Sequence, residues 1–393
     1  MNEVAFKKED GRLVFELSGR IDSGNASQVE AEIMKIRDSE PHEGITIDCD
    51  KLLYMSSAGL RILLRLRKDD KTLLVVNASS ELYEIFEMTG FTEMMEIRKA
   101  YRRVETEGCE IIGEGANGIV YRIDRDTIVK AYRNPDALPD IKRERELARK
   151  ALILGVPTAI PYDVVRIGDG YGSMFELLNA KSLAQILKAD PSKLDEVVEK
   201  NVALLKTIHG TVVEPGDMPD MKETVVKWTR FLGDHLEKAT YEKLLSLVEA
   251  IPEDHHMLHG DYHLKNVMEQ NGETLLIDMD TLSVGYPIFE FGFMYNAYLG
   301  YSEVNHEEVK EFLGIDRELS GQVFYRSLEA YLGTDDKEKV NQVADKAALI
   351  GHIRMLRYYI RRIGMETEYG RAHIENSRSR IERLLTGIDS LTF

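Results

Sequence analysis

Residues 259–280 read HGDYHLKNVMEQNGETLLIDMD, and this stretch carries the most specific pattern in the chain. It places Asp261, Asn266 and Asp278 in one short segment, and an apolar run over residues 275–277 leads into the last of them. Phosphoryl transfer from a nucleoside triphosphate needs a carboxylate that orients the attacking hydroxyl group, and an amide and a second carboxylate that hold metal ions on the phosphates. The segment therefore predicts a reaction as well as a fold.

The spacing H-x-D-x-x-x-x-N, followed by an aspartate that ends an apolar strand, resembles the catalytic loop and metal-binding strand of the protein-kinase-like superfamily. The segment resembles aminoglycoside phosphotransferases and choline kinases more than protein kinases. Gly260 occupies the position at which protein kinases have arginine, and Met279-Asp280 occupies the position of their Phe-Gly. The resemblance implies that Asp261 accepts or orients the acceptor proton, and that Asn266 and Asp278 hold Mg²⁺.

A glycine-rich motif lies upstream, in the sequence IIGEGANGIVYRI. Gly113, Gly115 and Gly118 form G-x-G-x-x-G, and Val120 follows. Glycines let the backbone bend into a hairpin and approach phosphates closely. The same motif occurs in Rossmann turns, but a helix should follow there, whereas the residues after Gly118 favour a strand. By resemblance, these four residues contact the nucleotide.

Three charged residues extend the resemblance. Lys130 lies in the strand-like run TIVKAY, where its ammonium group would hold the α- and β-phosphates of ATP. Glu144, in a segment that favours a helix, matches the carboxylate that fixes this lysine in the family, with Glu146 as the alternative. Glu176 lies in a stretch that resembles the hinge strand whose backbone meets the adenine. The implied cofactors are ATP and Mg²⁺.

Residues 1–103 follow a different pattern, in which strand-like runs alternate with helical ones. Asp10-Gly11 is a hairpin signal between the first two strands. An alternation of this kind predicts an α/β sandwich. We therefore expect a small, separate module before the glycine-rich motif.

The module resembles the STAS domain of anti-sigma factor antagonists, through Gly19 and Asp22 in SGRID and through the stretch MSSAGL. In that family a serine at a helix start is phosphorylated to switch protein partners. Ser57 matches this position, and Ser56 stands where the family has an aspartate. A helix N-terminus favours a phosphate group. The alternative is that Ser56 or Ser57 serves only as an N-cap.

Composition narrows the function classes. The chain has 393 residues, 43% of them hydrophobic, and a net charge of −17, which argues against nonspecific binding to nucleic acid. The charge would suit a cationic acceptor such as an aminoglycoside or choline, or would serve only solubility. The two cysteines, Cys49 and Cys109, fit a reducing cytoplasm. No apolar run has the length of a membrane span, and the polar start is untypical of a signal peptide.

Further features concern the second half of the chain. Glu290 matches an acidic residue that contacts and supports the catalytic loop in the family. We expect His209 to be a packed or capping histidine. Trp228 is expected in a core, and the resemblance implies that the helices around it help to shape the acceptor pocket. Four histidines near the loop suggest a zinc site, but the kinase-like pattern already accounts for them. The Arg-rich segment 352–364 could meet an anionic partner or the first module, or form a solvated helix face.

We therefore predict an α/β protein. A STAS-type sandwich over residues 1–103 precedes a bilobal, protein-kinase-like α+β domain, with its N-lobe over residues 104–180 and a helical C-lobe over residues 181–393.

The predicted function is ATP- and Mg²⁺-dependent phosphoryl transfer to a hydroxyl group of a small molecule or a protein, with a module that regulates or binds a partner. The alternative is a nucleotide-sensing switch in a partner-switching pathway, with little or no catalysis. A third hypothesis is that the kinase-like domain phosphorylates Ser57.

Overall fold

The computed structural model describes residues 4–115 and 118–393, which divide into two compact units after Val104. Ala116 and Asn117, inside the glycine-rich motif, lie outside the described residues. The two units have separate hydrophobic cores.

The first unit is a five-stranded sheet with four helices, in the strand order β1-β2-β3-β4-β5. β1 pairs antiparallel with β2, and the other pairings are parallel. The strands are β1 Val4–Glu9, β2 Arg12–Ile21, β3 Gly44–Met55, β4 Leu74–Ala78 and β5 Glu96–Lys99. The helices are α1 Ala26–Ser39, α2 Ser57–Asp69, α3 Ser80–Met88 and α4 Phe91–Met94.

The local chemistry explains this architecture, which confirms the predicted α/β module. Asp10 and Gly11 both take positive φ, 47° and 76°, so the chain reverses tightly between β1 and β2. Strand residues such as Phe15, Ile45 and Ile47 are fully buried, as expected of a sheet whose central strands are parallel. β5 was not predicted, because it has only four residues and lies in a segment that reads as part of the connection.

The second unit begins with a five-stranded antiparallel sheet, in the order β6-β7-β8-β10-β9. Its strands are β6 Glu110–Glu114, β7 Gly118–Arg122, β8 Thr127–Tyr132, β9 Pro161–Ile167 and β10 Gly170–Glu176, and helix α5 Leu138–Ile153 connects β8 to β9. The glycine-rich motif thus lies in a β-hairpin, and the helix expected of a Rossmann turn is not formed.

The rest of the unit is mainly helical, around one large apolar core. Its helices are α6 Leu183–Ala189, α7 Leu194–His209, α8 Met221–Phe231, α9 Lys238–Glu249, α10 Ile288–Tyr295, α11 Glu308–Leu313, α12 Arg317–Leu332, α13 Lys337–Arg362 and α14 Glu368–Leu385. Its short strands are β11 Lys181–Ser182, β12 Met257–Leu258, β13 Val267–Gln270, β14 Glu273–Leu276 and β15 Ser283–Val284. This confirms the predicted kinase-like arrangement of a sheet followed by a helical part.

Short strands hold the segment that carries the predicted site. β12 pairs with β15, and β13 pairs with β14, so both ends of the loop 259–266 and the residues after β14 are fixed by backbone hydrogen bonds. Among the helices that the structure describes, none combines the length and the apolar character needed to cross a membrane.

Candidate active site

The buried carboxylate of Glu290 binds the start of the loop 259–266. Glu290, which is fully buried at the start of α10, accepts hydrogen bonds from the backbone nitrogens of His259 at 2.5 Å and of Gly260 at 3.0 Å. This is the contact that the sequence analysis expected of Glu290. Since two backbone N–H groups are satisfied by one carboxylate, the loop conformation is fixed where it begins.

Gly260 cannot be replaced by a larger residue without moving the backbone. Its φ is +81°, and a Cβ atom there would lie 2.4 Å from the carbonyl oxygen of Thr281. The left-handed conformation is also unfavourable for residues that have a Cβ. The arginine that protein kinases have at this position therefore does not fit here.

Asp261 is an ionised carboxylate that lies between an arginine and a histidine side chain. Its Oδ1 lies 3.5 Å from Nη2 of Arg354, and its Oδ2 lies 3.4 Å from Nε2 of His263. Burial by itself would raise the pKa of Asp261, but the interactions with His263 and then with Arg354 outweigh it and hold the pKa well below its usual range. The carboxylate is therefore suited to accept a hydrogen bond from a hydroxyl group at neutral pH.

Asn266 is fixed at the end of the loop. Its side-chain Nδ2 donates to the backbone carbonyl oxygen of Asp261 at 3.0 Å. The backbone carbonyl oxygen of Asn266 accepts from the backbone nitrogen of Ile277 at 3.0 Å. Because the amide nitrogen is used to hold the loop, the amide oxygen is the atom through which Asn266 could bind a cation.

Lys130 lies between two carboxylates, one from each part of the unit. Its Nζ is 3.0 Å from Oε1 of Glu144 on α5 and 2.9 Å from Oδ1 of Asp278, which follows β14. Burial alone would lower the pKa of Lys130, but Glu144 and then Asp278 outweigh it, and the pKa is raised. The structure thus brings three of the predicted site residues into direct contact. Glu146, the alternative to Glu144, instead lies 3.9 Å from Arg149.

Tyr132 completes the lysine site and was not identified from the sequence. Its hydroxyl group donates to Oε2 of Glu144, and its ring lies 5.3 Å from Nζ of Lys130. Lys130 and Tyr132 are two positions apart on β8, so their side chains leave the same face of the strand. That spacing is the signal by which the tyrosine could have been found.

Two acidic groups lie close together after β14. Asp278 has the left-handed backbone angles φ 64° and ψ 70°, which are uncommon for a residue with a side chain. Burial, followed by the neighbouring carboxylates of Asp278 and Glu144, raises the pKa of Asp280 to about 6. Asp280 ends the stretch 259–280, but the sequence did not predict it as a site residue.

The glycine-rich hairpin has one position where only glycine fits. The nitrogen of Gly115 donates to the carbonyl oxygen of Gly118 at 3.0 Å, and a Cβ at Gly118 would lie 2.3 Å from the carbonyl oxygen of Ala131. At Gly113 and Gly115, a Cβ would meet no described atom closer than 3.7 Å. Val120 pairs directly with Lys130 across β7 and β8, so the two side chains share one face of the sheet.

Glu176 is not part of the charged cluster. It ends β10, and its carboxylate lies 3.4 Å from the backbone nitrogen of Ile160. Its own nitrogen donates to the carbonyl oxygen of Ile160 at 3.0 Å. The role that the resemblance implies for this stretch belongs to its backbone, and it stays a prediction.

In the first unit, Ser57 is the exposed first residue of α2. Ser56 is the N-cap residue, but its side chain makes no capping hydrogen bond, and its Oγ is buried without a partner among the described residues. The reading in which Ser56 serves as an ordinary side-chain cap therefore receives no support from this geometry.

Two histidines, His209 and His259, are engaged in protein contacts. His209 is buried, with Nδ1 2.9 Å from the hydroxyl oxygen of Tyr331, and Nε2 of His259 lies 3.1 Å from the carbonyl oxygen of Ile277. Within residues 4–115 and 118–393, no group of three or more His, Cys, Asp or Glu side chains is arranged to hold a metal ion.

Comparison with known proteins assigns the family. Residues 108–318, more than half of the chain, match the phosphotransferase enzyme family, and residues 3–106 match the STAS domain. The chain belongs to the phosphotransferase enzyme family. Its first unit is a STAS domain, and both assignments agree with the resemblance found in the sequence.

Three individual proteins are similar to parts of this chain. The STAS domain of this phosphotransferase is 32% identical over 99 residues to BtrV of Bordetella bronchiseptica, which is named as an anti-sigma factor antagonist; the match covers 24% of this chain and 84% of that protein. The ADP-bound aminoglycoside phosphotransferase APH(2'')-Ib has the same fold, with a TM-score of 0.50 and 16% identity, over 77% of this chain and 98% of the other. A choline/ethanolamine kinase family protein from Mesorhizobium loti gives a TM-score of 0.46 and 14% identity, over 70% and 87%.

Proposed function

We propose that this phosphotransferase uses ATP and Mg²⁺ to phosphorylate an alcohol hydroxyl group, and that its STAS domain binds a protein partner. The observation that carries the proposal is the pair of contacts of Lys130 Nζ, 3.0 Å from Glu144 and 2.9 Å from Asp278, beside a loop that presents Asp261. An ammonium group, two oxygen ligands for a cation and an ionised carboxylate are the groups that phosphoryl transfer requires.

On the nucleotide side, the hairpin of β6 and β7 would cover the phosphates and Lys130 would hold them. Gly113 and Gly115 leave the hairpin backbone open for close approach, and Gly118 lets β7 pack closely on β8. Val120 lies beside the lysine on the same sheet face. Glu144 keeps Lys130 in place because it is itself buried and hydrogen-bonded by Tyr132. Glu176 would mark the strand that meets the adenine.

The donor set near the loop fits Mg²⁺. Asn266 offers an amide oxygen and Asp278 a carboxylate that is half-exposed, and hard oxygen ligands of this kind are the ones that Mg²⁺ prefers. Held there, the cation would neutralise charge on the transferred phosphoryl group.

On the acceptor side, Asp261 would receive the hydrogen bond of the attacking hydroxyl group. Its lowered pKa makes orientation of the hydroxyl group, with proton uptake late in transfer, the appropriate role. His263 and Arg354 hold the carboxylate from both of its oxygens, which restricts its rotation.

The experiment uses the full chain with ATP and Mg²⁺. We expect a nucleotide-dependent rise in unfolding temperature, and transfer of the γ-phosphate to members of a panel of hydroxyl compounds. Lys130→Met should abolish both, because the phosphates lose their cation. A rise in unfolding temperature with no transfer and no hydrolysis would favour the alternative, a nucleotide-sensing switch.

The STAS domain supports a role in partner binding. Its relative BtrV is named as an anti-sigma factor antagonist, and Ser57 is exposed at the N-terminus of a 13-residue helix, where a phosphate group is favoured. We propose that Ser57 is a phosphorylation site, in this chain or by another copy of it. The two cysteines, both free, suit the cytoplasm in which such partners would be met.

Mass spectrometry after incubation with ATP and Mg²⁺ tests the modification. Phosphate should appear on Ser57 in the wild type and be absent from Ser57→Ala. Phosphate confined to other residues, or none at all, would remove Ser57 from this role.

A further inference from the structure

One helix face beside Asp261 is unusually rich in arginine. Arg354, Arg357 and Arg361 follow each other on α13 at spacings of three and four residues, so they share one side of the helix. None of the carboxylates in the described parts of the chain forms an ion pair with Arg357, Arg361 or Arg362.

Aromatic rings hold two of these guanidinium groups in place. Arg354 lies over the ring of Phe293 at 4.5 Å, and Arg357 lies over the ring of Trp228 at 5.3 Å. The two rings touch, with their centroids 6.0 Å apart. Stacking on a ring leaves the edge of a guanidinium group free to donate hydrogen bonds. The result is a platform with two ordered sets of donors.

The platform begins at the proposed reaction centre. Arg354 bonds to the carbonyl oxygen of Gly260 at 3.0 Å and lies 3.5 Å from Asp261. Arg357 is nearly one helical turn further on, which is a displacement of about 5 Å along the axis. A compact molecule whose hydroxyl group reaches Asp261 would therefore place its next substituents at Arg357 and Arg361.

The local charge disfavours a cationic acceptor. Burial and the neighbouring cations Arg361 and Arg362 lower the pKa of Arg357, so the helix face repels positive charge. Glu303 lies 3.5 Å from His352 of α13. Its carboxylate is already bound by Arg380 at 2.5 Å and by Asn376 at 2.7 Å. The net charge of the whole chain suggested an aminoglycoside or choline, but the arginine face of α13 beside Asp261 has the opposite sign.

We propose that the acceptor is a small hydroxyl compound that carries a phosphate or carboxylate group, and that Arg357 and Arg361 bind this group while the rest of the molecule lies against Trp228. The proposal rests on the proposed function, since it assigns the acceptor of the same site. Guanidinium groups bind both anions through paired hydrogen bonds. Partly buried Arg354, Arg357 and Trp228 suit a compact ligand rather than a peptide.

Trp228 is the only tryptophan in the chain, so its fluorescence reports on this platform. The full-length protein is titrated with inorganic phosphate, glycerol 3-phosphate, glucose 6-phosphate and gluconate, and separately with glycerol, glucose, choline, kanamycin and a polyglutamate peptide. We expect a saturable change for at least one of the four anions, and an apparent affinity at least 10-fold weaker for each neutral or cationic compound.

Variants test whether the arginines cause the response. Arg357→Gln and Arg361→Gln should each weaken the anion affinity about 10-fold, and Arg357→Lys should restore only part of the loss, because lysine keeps the charge but loses the paired hydrogen bonds and the stacking on Trp228. Arg326→Gln, which removes an arginine that pairs with Asp195, is the matched control and should leave the affinity unchanged.

Four outcomes would overturn the proposal: no response to any of the anions, tighter binding of kanamycin or choline, a response only to polyglutamate, or an anion response that survives both glutamine substitutions. The titration reads binding without turnover. A protein that binds the anions but transfers no phosphate therefore contradicts the proposed function and leaves the anion site standing.

Discussion

Asp261 is the side chain whose loss should reduce catalysis most selectively. In Asp261→Asn, the amide can occupy the same space but cannot receive the hydroxyl proton, so we expect turnover to fall about 10²- to 10⁴-fold, the range for a positioned acid–base group. Lys130, Asn266 and Asp278 are untouched, and the affinity for ATP should change by only a few-fold. Steady-state kinetics and nucleotide titration measure the two effects. Turnover near that of the wild type would remove Asp261 from its proposed role.

Individual site residues could be proposed from the sequence where their spacing is local. The loop pattern identified Asp261, Asn266 and Asp278 together, because they lie within one continuous segment. Arg354 was not identified, although it touches Asp261, because it lies on a helix far along the chain. A single arginine in an amphipathic helix carries no local signal of what it will contact, and its role depends on tertiary packing.

The β6–β7 hairpin gives a matched pair of glycine substitutions. Gly118→Ala places a methyl group 2.3 Å from a backbone oxygen of β8, and we expect a loss of about 1–3 kcal/mol in the free energy of unfolding. Gly115→Ala meets no described atom within 4 Å and should be nearly neutral for stability. Urea unfolding measures both. Equal losses for the two variants would show that the hairpin is not packed as described.

Glu303, in the segment after α10, is bound by Asn376 and Arg380 of α14. This contact therefore depends on the ionisation of Glu303 and on pH. Burial by itself would raise the pKa of Glu303, but His352, Tyr295 and Asn376 outweigh it and lower the pKa from 4.5 to about 2. A carboxyl group with a lowered pKa stabilises the folded state above its unfolded pKa. This contribution to the free energy of unfolding is about 3 kcal/mol, and it is lost as the pH falls from about 4.5 toward 2.

Glu303→Gln should remove this part of the acid destabilisation. We expect the variant to be less stable than the wild type at pH 7, and the difference between them to shrink as the pH falls below 4.5. Glu249→Gln, at an exposed ion pair with Arg230, is the control and should change little. Thermal unfolding between pH 7 and pH 2.5 tests it. A constant difference across that range would show that Glu303 is not the titrating group.

The two units should fold independently. The buried side chains of the first unit contact one another in one cluster, and those of the helical part form another, with no residue in common. We expect residues 1–104 and 105–393, expressed separately, each to unfold cooperatively. Circular dichroism during thermal unfolding checks this. A fragment that gives no cooperative transition would mean that its core is incomplete without the other unit.

The architecture was more predictable than the acceptor site. Alternating strands and helices, the Asp10-Gly11 turn and the strand that follows Gly118 each leave a local pattern, and the fold class follows from them. The platform of Phe293, Trp228 and Arg357 unites side chains from three helices, and its charge is opposite to that of the chain. Trp228, which the sequence predicts in a core, packs against the large apolar core but is only partly buried.

The ion pairs of Lys130 have an electrostatic consequence for how nucleotide enters. One ammonium group faces the carboxylates of Glu144 and Asp278, and Asp280, with a pKa of about 6, is mostly ionised at neutral pH. The four side chains together therefore carry a net charge of about −2 before any ligand arrives. A bare triphosphate would be repelled there, whereas one already neutralised by a divalent ion would not. Nucleotide and cation should thus behave as a single, cooperative ligand.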